Sequence, residues 1–156
     1  MLLDISRALR TQGTEFPFEL GGEIPTQDIL GEPVSFEGVA LSGTYSAAGK
    51  SVLIMGQLIA AAHARCAKCL GPAHAELMVP FRETFVQDGD PEDPDKFAFE
   101  GSLLDLSHLA LSLAVLNLPM RFVCGENCKN HCTCRKELQA KHPFEALQML
   151  KKDEEV

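Results

Sequence analysis

Val34-Ser35-Phe36-Glu37-Gly38-Val39-Ala40-Leu41 opens a run whose apolar residues recur at every second position and then change parity. Val34 and Phe36 share one face. Beyond Gly38 the pattern passes to Val39, Leu41 and Tyr45, which predicts a long strand with a bulge at the glycine. Ser46-Ala47-Ala48-Gly49-Lys50 reads as a hairpin turn. The return strand places Val52, Ile54, Leu58 and Ala60 on one face and Leu53, Met55 and Ile59 on the other, the pattern of a central strand covered on both sides. Leu77, Val79, Phe81 and Phe85 alternate through a third strand, where Pro80 lacks an amide hydrogen and favours an edge. These runs describe an antiparallel sheet.

Downstream the pattern changes. Gln87 to Lys96 holds five carboxylates and two prolines and reads as a solvated loop, without the terminal Glu and fixed Gly of a calcium loop. Phe97 and Phe99 suggest a short strand, and Ser102 with Asp105 has the spacing of a capping box. Leu106, Leu109, Leu113 and Leu116 then follow at helical spacing until Pro119. The stretch Leu103 to Leu118 reads as a core helix, too short and too polar to span a bilayer. A last helix can start at Pro143, with Phe144, Leu147 and Leu150 on one face. The expected class is α+β, one domain over residues 1–156: a β-rich part to residue 101, then helix, cysteine cluster and terminal helix over 102–152.

With 46% hydrophobic and 23% charged residues the composition is globular rather than disordered. The net charge of −8 argues against a surface devoted to phosphate binding, but it is unevenly spread. Residues 1–119 are net −9, residues 120–152 net +4, and Asp153, Glu154 and Glu155 carry the remaining −3. The start of the sequence has no basic leader or apolar stretch of a secretory signal, so the expectation is a cytoplasmic protein with no membrane attachment. In that reducing compartment, cysteines point to metal ligation or free thiols before disulfides.

The six cysteines fall in two groups: Cys66-Ala67-Lys68-Cys69, and Cys124, Cys128, Cys132 and Cys134 with His131 among them. A C-x2-C turn can aim two sulfurs at one zinc ion, and Arg65 and Lys68 beside it favour thiolates. Cys124 and Cys128 are the first choice for the second pair, because Cys132 and Cys134 are too close in sequence to share one ion easily. Cys132, Cys134 and His131 stand as additional or alternative ligands. Six thiols would also suffice for an iron–sulfur cluster, and unliganded thiols or oxidised pairs are the plain alternatives. A thioredoxin-like site lacks its βαβ context, and a catalytic zinc lacks a neighbouring His-Glu constellation.

His63, His74, His108 and His142 are isolated in sequence and read as partners of backbone or water. Lys129, Arg135, Lys136 and Lys141, with Lys151 and Lys152, could form a phosphate-binding patch, or simply a solvated basic face. Phe122 and Phe144 could stack on bases, although core packing suits them better.

Arg65-Cys66-Ala67-Lys68-Cys69-Leu70, then Pro80-Phe81-Arg82-Glu83-Thr84-Phe85, Asp105-Leu106, Leu116-Asn117-Leu118-Pro119 and finally Pro143-Phe144-Glu145-Ala146-Leu147 resemble, in order and spacing, the YceD family of large ribosomal RNA subunit accumulation proteins. The resemblance covers about residues 1–152. It implies a small cytosolic protein needed for normal levels of large-subunit (23S) ribosomal RNA, with no established catalytic activity. Its two cysteine pairs carry over to Cys66 with Cys69 and Cys124 with Cys128. Many members continue with Gly-Leu-Cys and another C-x2-C, where this chain has Asn130-His131-Cys132-Thr133-Cys134, so no role carries over to the last two cysteines. The expected function is a non-enzymatic ribosome-biogenesis factor with a structural zinc, acting on rRNA or a pre-50S particle. A protein-docking adaptor that never touches RNA, or a thiol or metal enzyme, is the alternative.

Overall fold

The computed structural model describes residues 1–87, 97–125 and 128. Four elements precede the run that the alternation singled out: β1 (Leu2–Asp4), α1 (Ser6–Arg10), β2 (Phe16–Gly21) and β3 (Gln27–Ile29). The long strands are β4 (Glu32–Ala48), β5 (Ser51–Arg65) and β6 (Pro72–Gln87), followed by β7 (Phe97–Phe99), β8 (Leu103–Asp105) and α2 (Ser107–Leu116). The main sheet runs β2-β4-β5-β6-β7, with β3 also paired to β4 and β1 paired to β8 in a small ribbon. All pairings are antiparallel except β6 with β7.

The predicted bulge is present: the β4–β5 register shifts between Glu37 and Ala40, across Gly38 at φ 62°. The turn is tighter than expected. Ala48 pairs with Ser51, so only Gly49 and Lys50 lie outside the ladder and Ser46–Ala48 belong to β4. Pro80 lies on a stretch of β6 paired to β5 alone, since β7 reaches only Phe85–Gln87. The missing amide hydrogen therefore costs no ladder bond on the open side.

One face of this sheet makes the core. Leu41, Tyr45, Val52, Ile54, Leu58, Leu77, Phe81 and Phe85 are buried there, each full burial contributing roughly 1.5–3 kcal/mol. Helix α1 lies on β4, and α2 lies on β5 and β6. The expectation that β5 is covered on both sides fails: Ile59 is 44% exposed, and its cross-strand neighbour Met78 is 70% exposed. β5 is central because it has a neighbour on each edge, not because both faces are packed. An antiparallel sheet can leave one face in water.

The helix start is also corrected. Leu103–Asp105 is strand β8, so Ser102 and Asp105 form no capping box and the β-rich part extends past residue 101. Asp105 instead accepts the Ser107 amide at 2.9 Å, two residues on, at the strand-to-helix junction. The buried side of α2 is Leu109, Ala110 and Ala114, continuing from the buried Leu106, while Leu116 is 82% exposed. The predicted helix from Pro143 lies outside the described residues.

Across four strands, Phe18, Gly43, Gly56 and Phe81 form one register row. At Gly43 and Gly56 the strands approach so closely that a Cβ at either would collide with backbone, Met55 O for the first and Ser42 O for the second. The two buried rings flank this gap in side chains and fill the core face beside it. Gly56→Ala is expected to lower stability by roughly 2–3 kcal/mol in urea unfolding, because the obstructing atoms are backbone; a loss below about 0.5 kcal/mol would contradict this close approach.

Candidate metal centre

β5 ends at Arg65, and the chain turns at once through Cys66-Ala67-Lys68-Cys69 into β6. The turn is held by backbone bonds: the Leu70 amide donates to Cys66 O at 2.9 Å, and the Cys66 amide donates to Gly71 O at 2.8 Å. The Lys68 amide points at Cys66 Sγ, 3.4 Å away. The second pair arrives from the other end of the fold, after α2. The Ala67 amide donates to Phe122 O at 2.9 Å, which sets that segment alongside the turn.

The sulfurs of Cys66, Cys69, Cys124 and Cys128 all lie within 4.8 Å of one another. Cys66 Sγ is 3.8 Å from Cys128 Sγ, and Cys69 Sγ is 3.6 Å from Cys124 Sγ. A zinc ion with Zn–S bonds of about 2.3 Å in a tetrahedron requires sulfur–sulfur edges of about 3.8 Å, so the donor set fits a single ion. The same compactness disfavours a multi-iron cluster, whose thiolates must spread over separate irons. Cys66 and Cys128 are buried, Cys69 is half-buried and Cys124 is exposed. With Ala73 the two buried thiols make a satellite core separate from the main one, against which Phe122 packs. Three small buried residues supply little apolar area, so an ion bound to all four sulfurs would dominate the energetics of this corner.

The sulfurs titrate unequally. Amides of Cys69, Lys68 and Cys124 directed at Cys66 pull its thiol down to about 6. At Cys69 the Gly71 amide pulls down, but the neighbouring Cys128 and Cys66 sulfurs outweigh it and leave the thiol raised. The Cys128 and Cys69 sulfurs push Cys124 up to about 12, since a thiolate there would face other sulfurs at close range.

Cys132, Cys134, His131, Lys129, Arg135, Lys136 and Lys141 lie outside the described residues, so their places relative to the four sulfurs are not described. Among the isolated histidines, His63 meets the Glu37 carboxylate at 3.5 Å and lies 6.0 Å from the His74 ring, while His108 sits edge-on to Phe97. These contacts are with side chains, and among the described residues none of the three histidines belongs to the cysteine group. Phe122, half-buried, packs against the main core and the cysteine core, in line with the preference for core packing over base stacking.

One feature of this region escaped the sequence. A groove of about 290 Å³ runs beside Cys66, lined by Leu30, Val34, Arg65, Leu70, Met120 and Phe122 among others. Between Gly21 and Val34 the sequence carries no clear alternation, and only the Leu30-Gly31 pair, a poor version of an Asn-Gly turn, signals the lip it forms.

A family model described as "Large ribosomal RNA subunit accumulation protein YceD" matches residues 54–151, which include β5 from Ile54 onward, β6, α2 and all four converging cysteines. No curated protein and no solved structure matches the chain.

Metal uptake should be proton-linked. Near pH 7 Cys66 is mostly thiolate already, whereas Cys69 and Cys124 are protonated, so binding expels at least those two protons and tightens as pH rises. Zinc affinity is expected to climb at least about 100-fold per pH unit around pH 7, and more steeply below pH 6 as Cys66 also protonates. Competition titrations at several pH values check this; a pH-independent affinity would contradict it.

Proposed function

This chain belongs to the YceD family of large ribosomal RNA subunit accumulation proteins, and on that premise we propose that it is a non-enzymatic, cytoplasmic factor in ribosome biogenesis supporting accumulation of 23S ribosomal RNA. The observation that carries the reading is the family match over β5 to residue 151, in which both cysteine pairs lie. In this proposal Cys66, Cys69, Cys124 and Cys128 hold one structural zinc. The ion would supply the cross-link between the β5–β6 turn and the chain after α2. Four thiolates fill a tetrahedral shell and leave no position for a substrate or activated water, which supports a structural rather than a catalytic role. Among the described residues no helix is long and apolar enough to cross a membrane.

The partner in this reading is the large-subunit rRNA or a pre-50S particle. Direct RNA contact is assigned to Lys129, Arg135, Lys136 and Lys141, which lie in the net positive stretch following the cysteine pairs. Phosphate contacts of this kind would weaken steeply with salt.

Cells lacking the protein should show a reduced ratio of large- to small-subunit rRNA, restored by the wild-type chain and not by Cys66→Ser or Cys128→Ser. The purified wild-type protein should carry about one zinc per chain and each variant little. Full restoration by a zinc-free variant would remove the structural metal from the account.

A further inference from the structure

The groove beside the cysteine centre has apolar lips held open to water. Leu30, Leu70 and Met120 are 101%, 70% and 106% exposed, and all three line it. Scattered exposed leucines need no explanation, but three large apolar side chains around one depression do.

Two of these lips are also held there by unusual backbone. Among the described residues, Leu30 and Leu70 are the only non-glycine positions with positive φ, at 57° and 59°. Leu30 opens the two-residue Leu30-Gly31 turn between β3 and β4, where Ile29 pairs with Glu32 and Asp28 Oδ1 accepts the Gly31 amide at 2.8 Å. Leu70 closes the cysteine turn. Asn or Gly takes either conformation with less strain. Leucine at both places therefore strains the backbone and gains little or no burial on folding in return. A ligand that covers the two side chains would supply that burial.

Charge defines that ligand further. Arg65 and Arg121 line the groove, and Lys68 lies in the adjoining turn. Among the described residues its one lining carboxylate, Glu32, is engaged by Arg65 through two bonds at 2.9 and 3.1 Å. We propose that the groove docks a short segment of a protein partner in which aliphatic side chains stand next to Asp or Glu. The lining is mainly aliphatic, with Phe122 as its one ring and half-buried, so it suits aliphatic side chains better than stacked bases. The chain's own residues 129–152 are net +4 and bring like charge to the cationic rim ahead of the acidic Asp153-Glu154-Glu155, so ending the chain after residue 142 serves as the control for occupation by its own C-terminal segment. The acidic stretch 88–95 of a second copy carries no aliphatic side chain besides its prolines.

The test uses the full-length, zinc-loaded chain and a displayed library of random dodecapeptides, with the selected peptides resynthesised and titrated by fluorescence anisotropy. Selected peptides should combine Leu, Ile, Val or Phe with Asp or Glu, and their Lys-substituted versions should bind at least about tenfold more weakly. Leu30→Asn and Leu70→Asn should each weaken binding at least about tenfold while zinc content is kept and the melting temperature is unchanged or raised, which separates lost docking from lost folding. Met120→Gln provides the same check away from the strained turns. Four results would overturn the proposal: no acidic–aliphatic enrichment, binding that survives both leucine substitutions, a single-stranded RNA dodecamer that displaces the peptides, or peptide binding that appears only when the chain is ended after residue 142. Self-association abolished by Leu30→Asn would assign the groove to a second copy and overturn it equally.

Discussion

Four sulfurs brought within the reach of one ion are the constraint around which this corner of the fold is arranged. Two come from a turn between two of the three long strands, two from the chain that follows α2, and the sequence distance between the pairs exceeds fifty residues. The β5–β6 turn can present Cys66 and Cys69 because its Cys66 and Leu70 amides are bonded within the turn. The second pair has much less to hold it: the Ala67–Phe122 backbone bond and the packing of Phe122 and Cys128 on a core of three buried residues. Sulfurs at these distances repel as thiolates, which is why Cys124 resists ionisation. A cation reverses that sign, so the same geometry that disfavours the metal-free thiolates favours a bound ion.

The sheet provides the rigid side of that arrangement. β5 is paired on both edges as far as His63, and the β5–β6 ladder continues to Arg65, the residue from which the cysteine turn departs. The Phe18-Gly43-Gly56-Phe81 row brings the strands together where side chains would hold them apart. One face then receives α1 and α2, and α2 delivers the chain to Leu118–Phe122, which form a wall of the groove. Metal centre and groove thus share Cys66 and Phe122, and whatever fixes one also fixes a wall of the other.

What could be read from sequence followed from periodicity. Val34 through Phe85 alternates strongly enough to reveal three strands, the Gly38 bulge and the edge placement of Pro80, because a half-buried antiparallel sheet writes its burial into every second residue. The outer face of β5 misled, since Leu53 and Met55 are only half-buried and Ile59 is exposed although all three are apolar. Short elements were illegible. β1, β3 and β8 have three residues each, too few to show a period, and β8 took the residues assigned to a helix cap. The cysteine pairing was legible because ligand spacing is a local property of a turn. Their unequal burial and the adjacent groove were not, because both depend on where the segment after α2 comes to rest.

The central claim is that a bound ion joins the chain after α2 to the β5–β6 turn while the sheet stands without it. Amide hydrogen exchange on the zinc-loaded and the chelated protein tests this most directly. The account predicts that chelation strips protection from Ala67, whose amide donates to Phe122, and from Cys66 and Leu70, while the amides paired between β4, β5 and β6 around Ile54 and Leu58 keep theirs. Equal protection at Ala67, Cys66 and Leu70 with and without the ion would contradict it.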